Sequence, residues 1–261
     1  MNFEFQSNIL SELNKCAKSD IHSILLSGLS GCGKTYLSHQ YGRILKVDDI
    51  ISVEPTVEEL QKAIQAGYET SNRMLFVIEN LDAGVLKASY TILKFLEEPV
   101  SNVYVVVTCR NTYKIPNTIL SRCSVFNIGH PTEEDIEEYG KSKDINKYQK
   151  YKKYSIWNTV KTFSNVESIF NLSLSQIEYF ESFKNLLRCK DSVSNLIWNI
   201  SHFPDKSEID YELVFRYILC TTDNKHISDL CLKCMEDIDS ANISPYTVLQ
   251  KFVLDCKYGG Y

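Results

Sequence analysis

The stretch "SILLSGLSGCGKT", Ser23 to Thr35, decides the reading of this chain. Its first half is a short apolar run that stops at Gly28, as a buried strand does. Its second half, "GLSGCGKT" (Gly28–Thr35), fits the spacing G-x-x-x-x-G-K-[ST]. Residues 34–43 then read as a helix. A strand, a glycine loop and a helix in that order are the context of a phosphate-binding loop. Glycines let backbone N–H groups curl around phosphate oxygens, and the helix N-terminus adds its positive end. The candidate nucleotide-binding residues are therefore Gly28, Ser30, Gly31, Cys32, Gly33, Lys34 and Thr35. Lys34 would reach the β- and γ-phosphates of ATP, and the Thr35 hydroxyl would ligate Mg²⁺. Cys32 reads as a small filler rather than a nucleophile. The competing reading is a glycine-rich turn with no ligand.

Outward from the loop, strands and helices alternate. Residues 5–17 have helical apolar spacing. "TVEELQKAIQAGYE" (56–69) reads as a helix with Thr56 as N-cap and Glu59 completing a capping box. "MLFVIE" (74–79), "VYVVVTC" (103–109) and "SVFNIG" (124–129) are three more apolar strands, and "SYTILKFLEE" (89–98) is a helix stopped by Pro99. Continuous apolar strands between helices indicate an α/β fold, a parallel sheet covered on both faces. After "GHPTEED" (129–135) only helical patterns follow, with Thr132 as a cap. A fresh amphipathic run, "IEYFESFKNLLRC" (177–189), suggests a further break near 185.

The strand "MLFVIE" bears on hydrolysis. In ATPases with this loop, such a strand ends in a carboxylate that holds Mg²⁺ through water, then a second that polarises the attacking water. Glu79 takes the first place here and Asn80 the second, with Asp82 two residues further on. An amide orients water but cannot accept its proton. Hydrolysis in this chain's own site is therefore doubtful.

The segment "FVIENLDAGVLKASYTILKFLEEP" resembles clamp-loader AAA+ ATPase subunits, above all the delta-prime type of bacterial DNA polymerase III. Ile92 to Pro99 follows that family's Leu-Leu-Lys-x-Leu-Glu-Glu-Pro pattern. "VYVVVTCRNTYKIPNTILSRC" (103–123) matches again, ending in Ser121-Arg122-Cys123. The likeness is strongest over residues 24–130. "NISPYTVLQKFVLDC" (242–256) is fainter and is similar to the last helix of the family's collar.

The resemblance implies an AAA+ P-loop domain over 1–129, a helical lid over 130–184 and an all-helical, oligomerising collar over 185–261. It implies ring partners that are other clamp-loader subunits, a sliding clamp, and primer–template DNA met within that complex. It makes Arg122 an arginine finger that acts in a neighbour's ATP site; the alternative is a surface or salt-bridge arginine. It puts the sensor position, usually Thr or Asn, at Arg110. Two departures stand out: Asn80 in place of a glutamate, and no lid arginine with the family's usual surroundings. Residues 36–74 contain no cysteine, so the zinc module of many relatives is not expected, and a phage-type or reduced member would fit.

Composition narrows the rest. The 9 cysteines are odd in number and scattered, which suits reduced thiols. A net charge of −5 argues against a free-standing nucleic-acid binder. No apolar run approaches the roughly 20 residues of a membrane helix, and the N-terminus lacks signal-peptide features, so a cytoplasmic protein with no membrane partner is expected. "KSKDINKYQKYKKY" (141–154) could grip nucleic acid, but a solvated lysine face over inward tyrosines is the plainer reading. "CLKC" (231–234) with His226 lacks the second ligand pair that structural zinc needs. Two other functions stay open: an autonomous AAA+ ATPase acting on another target, and a structural ring member with an idle site.

Overall fold

A computed structural model describes residues 4–84, 86–98, 100–178, 180–181, 211–222, 224–240 and 244–258. The chain divides into two compact units, Met1–Asp135 with Thr162–Ser164, and Ile136–Lys161 with Asn165–Tyr261.

The first unit is a parallel five-stranded sheet between two helical layers. Its strands are β1 (Ser23–Ser27), β2 (Asp49–Val53), β3 (Met74–Ile78), β4 (Val103–Cys109) and β5 (Ser124–Asn127), in the spatial order β2-β3-β4-β1-β5. Alternate residues of the central strands enter separate cores, as the two-residue period of a strand requires. Leu25, Phe76, Ile78, Val105 and Val107 pack with Leu60, Phe95, Leu96 and Ile119 on one face. Ile24, Leu26, Leu75, Val77 and Val106 pack with Leu13, Leu37, Tyr41 and Leu45 on the other. Because both faces are covered, β1, β3 and β4 read as unbroken apolar runs.

The helices of this unit are α1 (Glu4–Lys18), α2 (Lys34–Leu45), α3 (Val57–Glu69), α4 (Leu86–Thr91), α5 (Leu93–Glu97) and α6 (Asn117–Leu120). Thr56 caps α3 by accepting from the Glu59 N–H at 3.3 Å. The reciprocal half of the expected box is not made, because the Glu59 carboxylate pairs with Lys62 instead.

Two elements differ from the sequence reading. The strand β2 is an extra one: it lies at the sheet edge, pairs with β3 alone, and leaves Ile51 38% exposed, so it carries no continuous apolar run. The helix expected over 89–98 starts earlier and is two short helices, interrupted at Ile92.

In the second unit the described regular elements are helices. They include α8 (Ile145–Tyr151) and, beyond the stretch 182–210, α10 (Tyr211–Thr221), α11 (Lys225–Ser240) and α12 (Pro245–Tyr258). Two further helices, α7 (Glu133–Lys143) and α9 (Phe163–Asn171), run from the first unit's segments into the second. Thr132 and Asp135 form a complete capping box at the start of α7: each side chain accepts from the other's backbone N–H, at 3.1 and 2.9 Å. One core joins Ile136, Tyr148, Tyr151, Ile169, Phe215, Tyr217, Cys231 and Phe252. The expected lid–collar boundary at 184–185 lies outside the described residues.

The two side motifs resolve in the same unit. Tyr148 and Tyr151 of the lysine-rich run are buried, while Lys141 and Lys152 pair with Glu137 and Lys143 with Glu167. Much of that run's charge is thus neutralised locally. Cys231 and Cys234 are core residues whose thiols burial pushes upward, Cys234 to about 11. His226 is exposed. Among the described residues no three His, Cys, Asp or Glu side chains are placed to hold a metal, and no helix is long and apolar enough to cross a membrane.

Candidate nucleotide-binding site

The loop Gly28–Thr35 leaves the C-terminal end of β1, where parallel α/β sheets bind ligands. Gly28 donates its N–H to Cys109 O at 3.1 Å, tying the loop to the end of β4. A side chain at Gly28 would sit 2.7 Å from Ile128 O. Ser30 is exposed on the loop, and Cys32 is buried beneath it. Burial is the main force raising the Cys32 thiol above its usual value, so it stays protonated, as a filler would. Gly31 and Gly33 have φ of 75° and 97°, a region that strains other residues. Gly33 is the N-cap of α2, and Thr35 is exposed in that helix's first turn.

Lys34 is buried, and its ammonium donates to Gly28 O at 2.7 Å and Leu29 O at 2.8 Å. Both acceptors are neutral. Desolvation lowers its pKa most; Cys32 and Cys109 oppose that, Arg110 adds to it, and Asp82 opposes it. A cation held beside a positive-φ glycine loop at a helix N-terminus is a donor set that suits a phosphate. The residues present therefore fit a phosphate group.

The end of β3 turns beside the loop. Glu79 donates its N–H to Val53 O at 3.1 Å, and its carboxylate accepts from Ser52 Oγ at 3.5 Å, the outer limit of a hydrogen bond. Asn80 lies in the left-handed region, φ 50° and ψ 50°, and donates its N–H to Thr108 Oγ1 at 2.9 Å. Asp82 accepts from the backbone N–H groups of Arg110 at 3.1 Å and Asn111 at 3.3 Å. The Arg110 residue itself is exposed. The ends of β3 and β4 are thereby locked together, with Asp82 and Arg110 both in electrostatic reach of Lys34.

Arg122 belongs to a different neighbourhood. Its Nη2 pairs with Glu97 Oε1 at 2.7 Å, and its Nη1 donates to Thr118 O at 2.7 Å. None of these partners is a phosphate-loop residue. Burial pushes the Cys123 thiol beside it up to about 12.

Four supporting roles escaped the sequence reading, which noted Asp82 and Glu97 only as members of their motifs. Thr108, Asp82 and Glu97 support neighbours through contacts that no spacing reveals. The fourth is the segment Thr162–Ser164. Phe163 donates its N–H to Gly31 O at 3.1 Å, and Ser164 Cβ and Thr162 Oγ1 lie 2.5 and 2.6 Å from where a Cβ on Gly31 would be. Only tertiary packing brings it there.

The class is thus a parallel α/β sheet with a glycine loop between its strand β1 and helix α2. The comparisons narrow the class. Residues 38–132 match the family described as "DNA polymerase III, delta subunit". The DNA polymerase III subunit delta′ of Buchnera aphidicola subsp. Baizongia pistaciae (strain Bp) is 25% identical over 169 residues, covering 62% of this chain and 48% of that protein. A solved DNA polymerase III gamma subunit-related protein from Thermotoga maritima superposes with a TM-score of 0.59 at 14% identity, covering 95% of this chain and 98% of that one. A RuvB variant from Thermotoga maritima gives a TM-score of 0.51 at 12% identity, covering 93% and 79%. The chain thus resembles DNA polymerase III subunits delta′ and gamma in sequence, and a gamma subunit-related protein in fold. The chain spans less than half the length of the curated relatives it matches.

Proposed function

We propose that this chain is an ATP-binding subunit of a clamp loader in the cytoplasm. In a ring with related subunits it helps to open a sliding clamp and place it on primer–template DNA. The observation that carries the reading is Lys34, buried on two carbonyls of a positive-φ glycine loop in a fold shared with a gamma-related protein.

The loop N–H groups and Lys34 hold the phosphates. Thr35, and Glu79 through water, are the ligands offered to Mg²⁺, which supplies charge neutralisation between phosphate oxygens when bound. Arg110, at the end of β4 and in electrostatic reach of Lys34, would serve as the sensor of the terminal phosphate. Asn80 leaves the site without a base, so ATP binds with little hydrolysis in cis. Arg122 serves a neighbour's site, where a guanidinium stabilises charge on the transferring phosphoryl group.

The test is a pull-down of the tagged chain from its native cells with and without ATP, read by mass spectrometry, beside the same experiment on Lys34→Ala. A sliding clamp and loader subunits are expected with the native chain. Recovery of unrelated proteins alone would sink the clamp-loader reading. An ATP·Mg²⁺-induced rise in Tm that survives Lys34→Ala would sink the assignment of the loop.

A further inference from the structure

Arg122 is folded back on its own chain. Its Nη1 reaches the carbonyl of Thr118, four residues earlier in the first turn of α6, and also approaches Ser121 Oγ at 3.4 Å. Its Nη2 is taken by Glu97 at the C-terminal end of α5. Both terminal nitrogens of the guanidinium are therefore engaged on this chain, one by a carbonyl and one by a carboxylate.

We propose that Glu97 is the parking site of Arg122: it keeps the guanidinium on this chain until the terminal phosphate of a nucleotide bound by a neighbour displaces the carboxylate. The proposal rests on the reading of Arg122 as a finger acting in trans. Carboxylate and phosphate use the same fork of N–H donors, so the two compete for one guanidinium. The strength of the parking suits a reversible device. The Arg122 and Glu97 side chains are 33% and 46% exposed, so water and salt weaken the pair. A phosphate carries more charge than a carboxylate, so it outcompetes Glu97 for the guanidinium.

Glu97 is thus a positioning residue. The motifs that hold the two partners, "LEEP" and "SRC", meet in this contact. The two are separated in the chain by β4 and α6, so only the fold pairs them.

The experiment compares the full native chain with Glu97→Gln, which keeps shape and removes charge at an exposed position. Phenylglyoxal modification of Arg122 is followed by mass spectrometry, with exposed Arg43 as reference. Glu97→Gln should label Arg122 about twofold to fivefold faster, the range an exposed ion pair supports, and leave Arg43 unchanged. Equal rates at Arg122 would overturn the parking. In the ring formed with copurifying subunits, Glu97→Gln should raise ATP turnover by a similar factor, and the gain should vanish in an Arg122→Ala background. A fall in turnover instead would show that Glu97 supports the working pose, and would overturn the proposal. If Arg122→Ala alone leaves turnover unchanged, the finger reading fails and parking falls with it. If Arg122→Ala abolishes turnover while Glu97→Gln labels at the native rate, parking alone fails.

Discussion

Asp82 accepts a hydrogen bond from the Arg110 backbone N–H at 3.1 Å, and so ties the turn after β3 to the turn after β4. A second bond, from Asn111 at 3.3 Å, completes the clamp. One carboxylate thus satisfies two loop donors beside the phosphate loop. Asp82→Ala should cost about 1–3 kcal/mol, the range for leaving donors without a charged acceptor, with Asp82→Asn in between. Urea unfolding reads the cost. Hydrogen exchange should quicken at the Arg110 and Asn111 amides; unchanged exchange there would show that the clamp does not hold the loop.

Asn80 has a backbone reason as well as a chemical one. At φ 50° it occupies a region that asparagine tolerates and longer side chains resist. Asn80→Gly should be close to neutral, and Asn80→Glu should cost about 1 kcal/mol. If the glutamate variant instead matched the native chain in urea and turned over ATP alone, the departure at Asn80 would be purely chemical.

At Gly31, φ is 75° and Ser164 Cβ stands 2.5 Å from an added Cβ. Gly31→Ala should destabilise the first unit by about 1–3 kcal/mol and weaken the Tm rise with ATP·Mg²⁺. Gly129→Ala, with nothing within 4 Å of its Cβ, is the control and should do neither. Equal behaviour of the two variants would remove the Thr162–Ser164 contact from the account of the loop.

Glu137 connects the second unit to pH. Hydrogen bonding to Lys152 first, then to Tyr148, holds its carboxyl at about 2, below the ordinary 4.5. A depressed carboxyl stabilises the folded state above the unfolded value and loses that contribution as pH falls. Stability should therefore decline between about 4.5 and 2. The group is solvent-accessible, so the effect is small and shrinks in salt. Glu137→Gln should flatten the acid limb of the unfolding curve in that window; an unchanged limb would assign it to other carboxylates.

The parts of the fold that were legible were those whose local pattern and burial agree. The strands β1, β3 and β4 are apolar throughout because helices cover both their faces, and helix α3 announces itself through Thr56. The edge strand β2 was illegible because one face and one side lack partners. The interruption at Ile92 is likewise not written in propensity. Resemblance supplied the roles given to Arg110 and Arg122, which composition and spacing do not carry.

By itself the sequence determined the glycine loop, the parallel α/β sheet that carries it, and that the described regular elements after the sheet are helices. These follow from short-range rules: glycine at positive φ, apolar periodicity, capping. Only the tertiary structure decided that Lys34 is buried on its own loop carbonyls, that Asp82 clamps Arg110, that Thr162–Ser164 fills the space above Gly31, and that Arg122 lies on Glu97. Each of these joins residues from different elements, and hydrogen bonds and ion pairs of that kind depend on distance in space, which the order of residues does not encode.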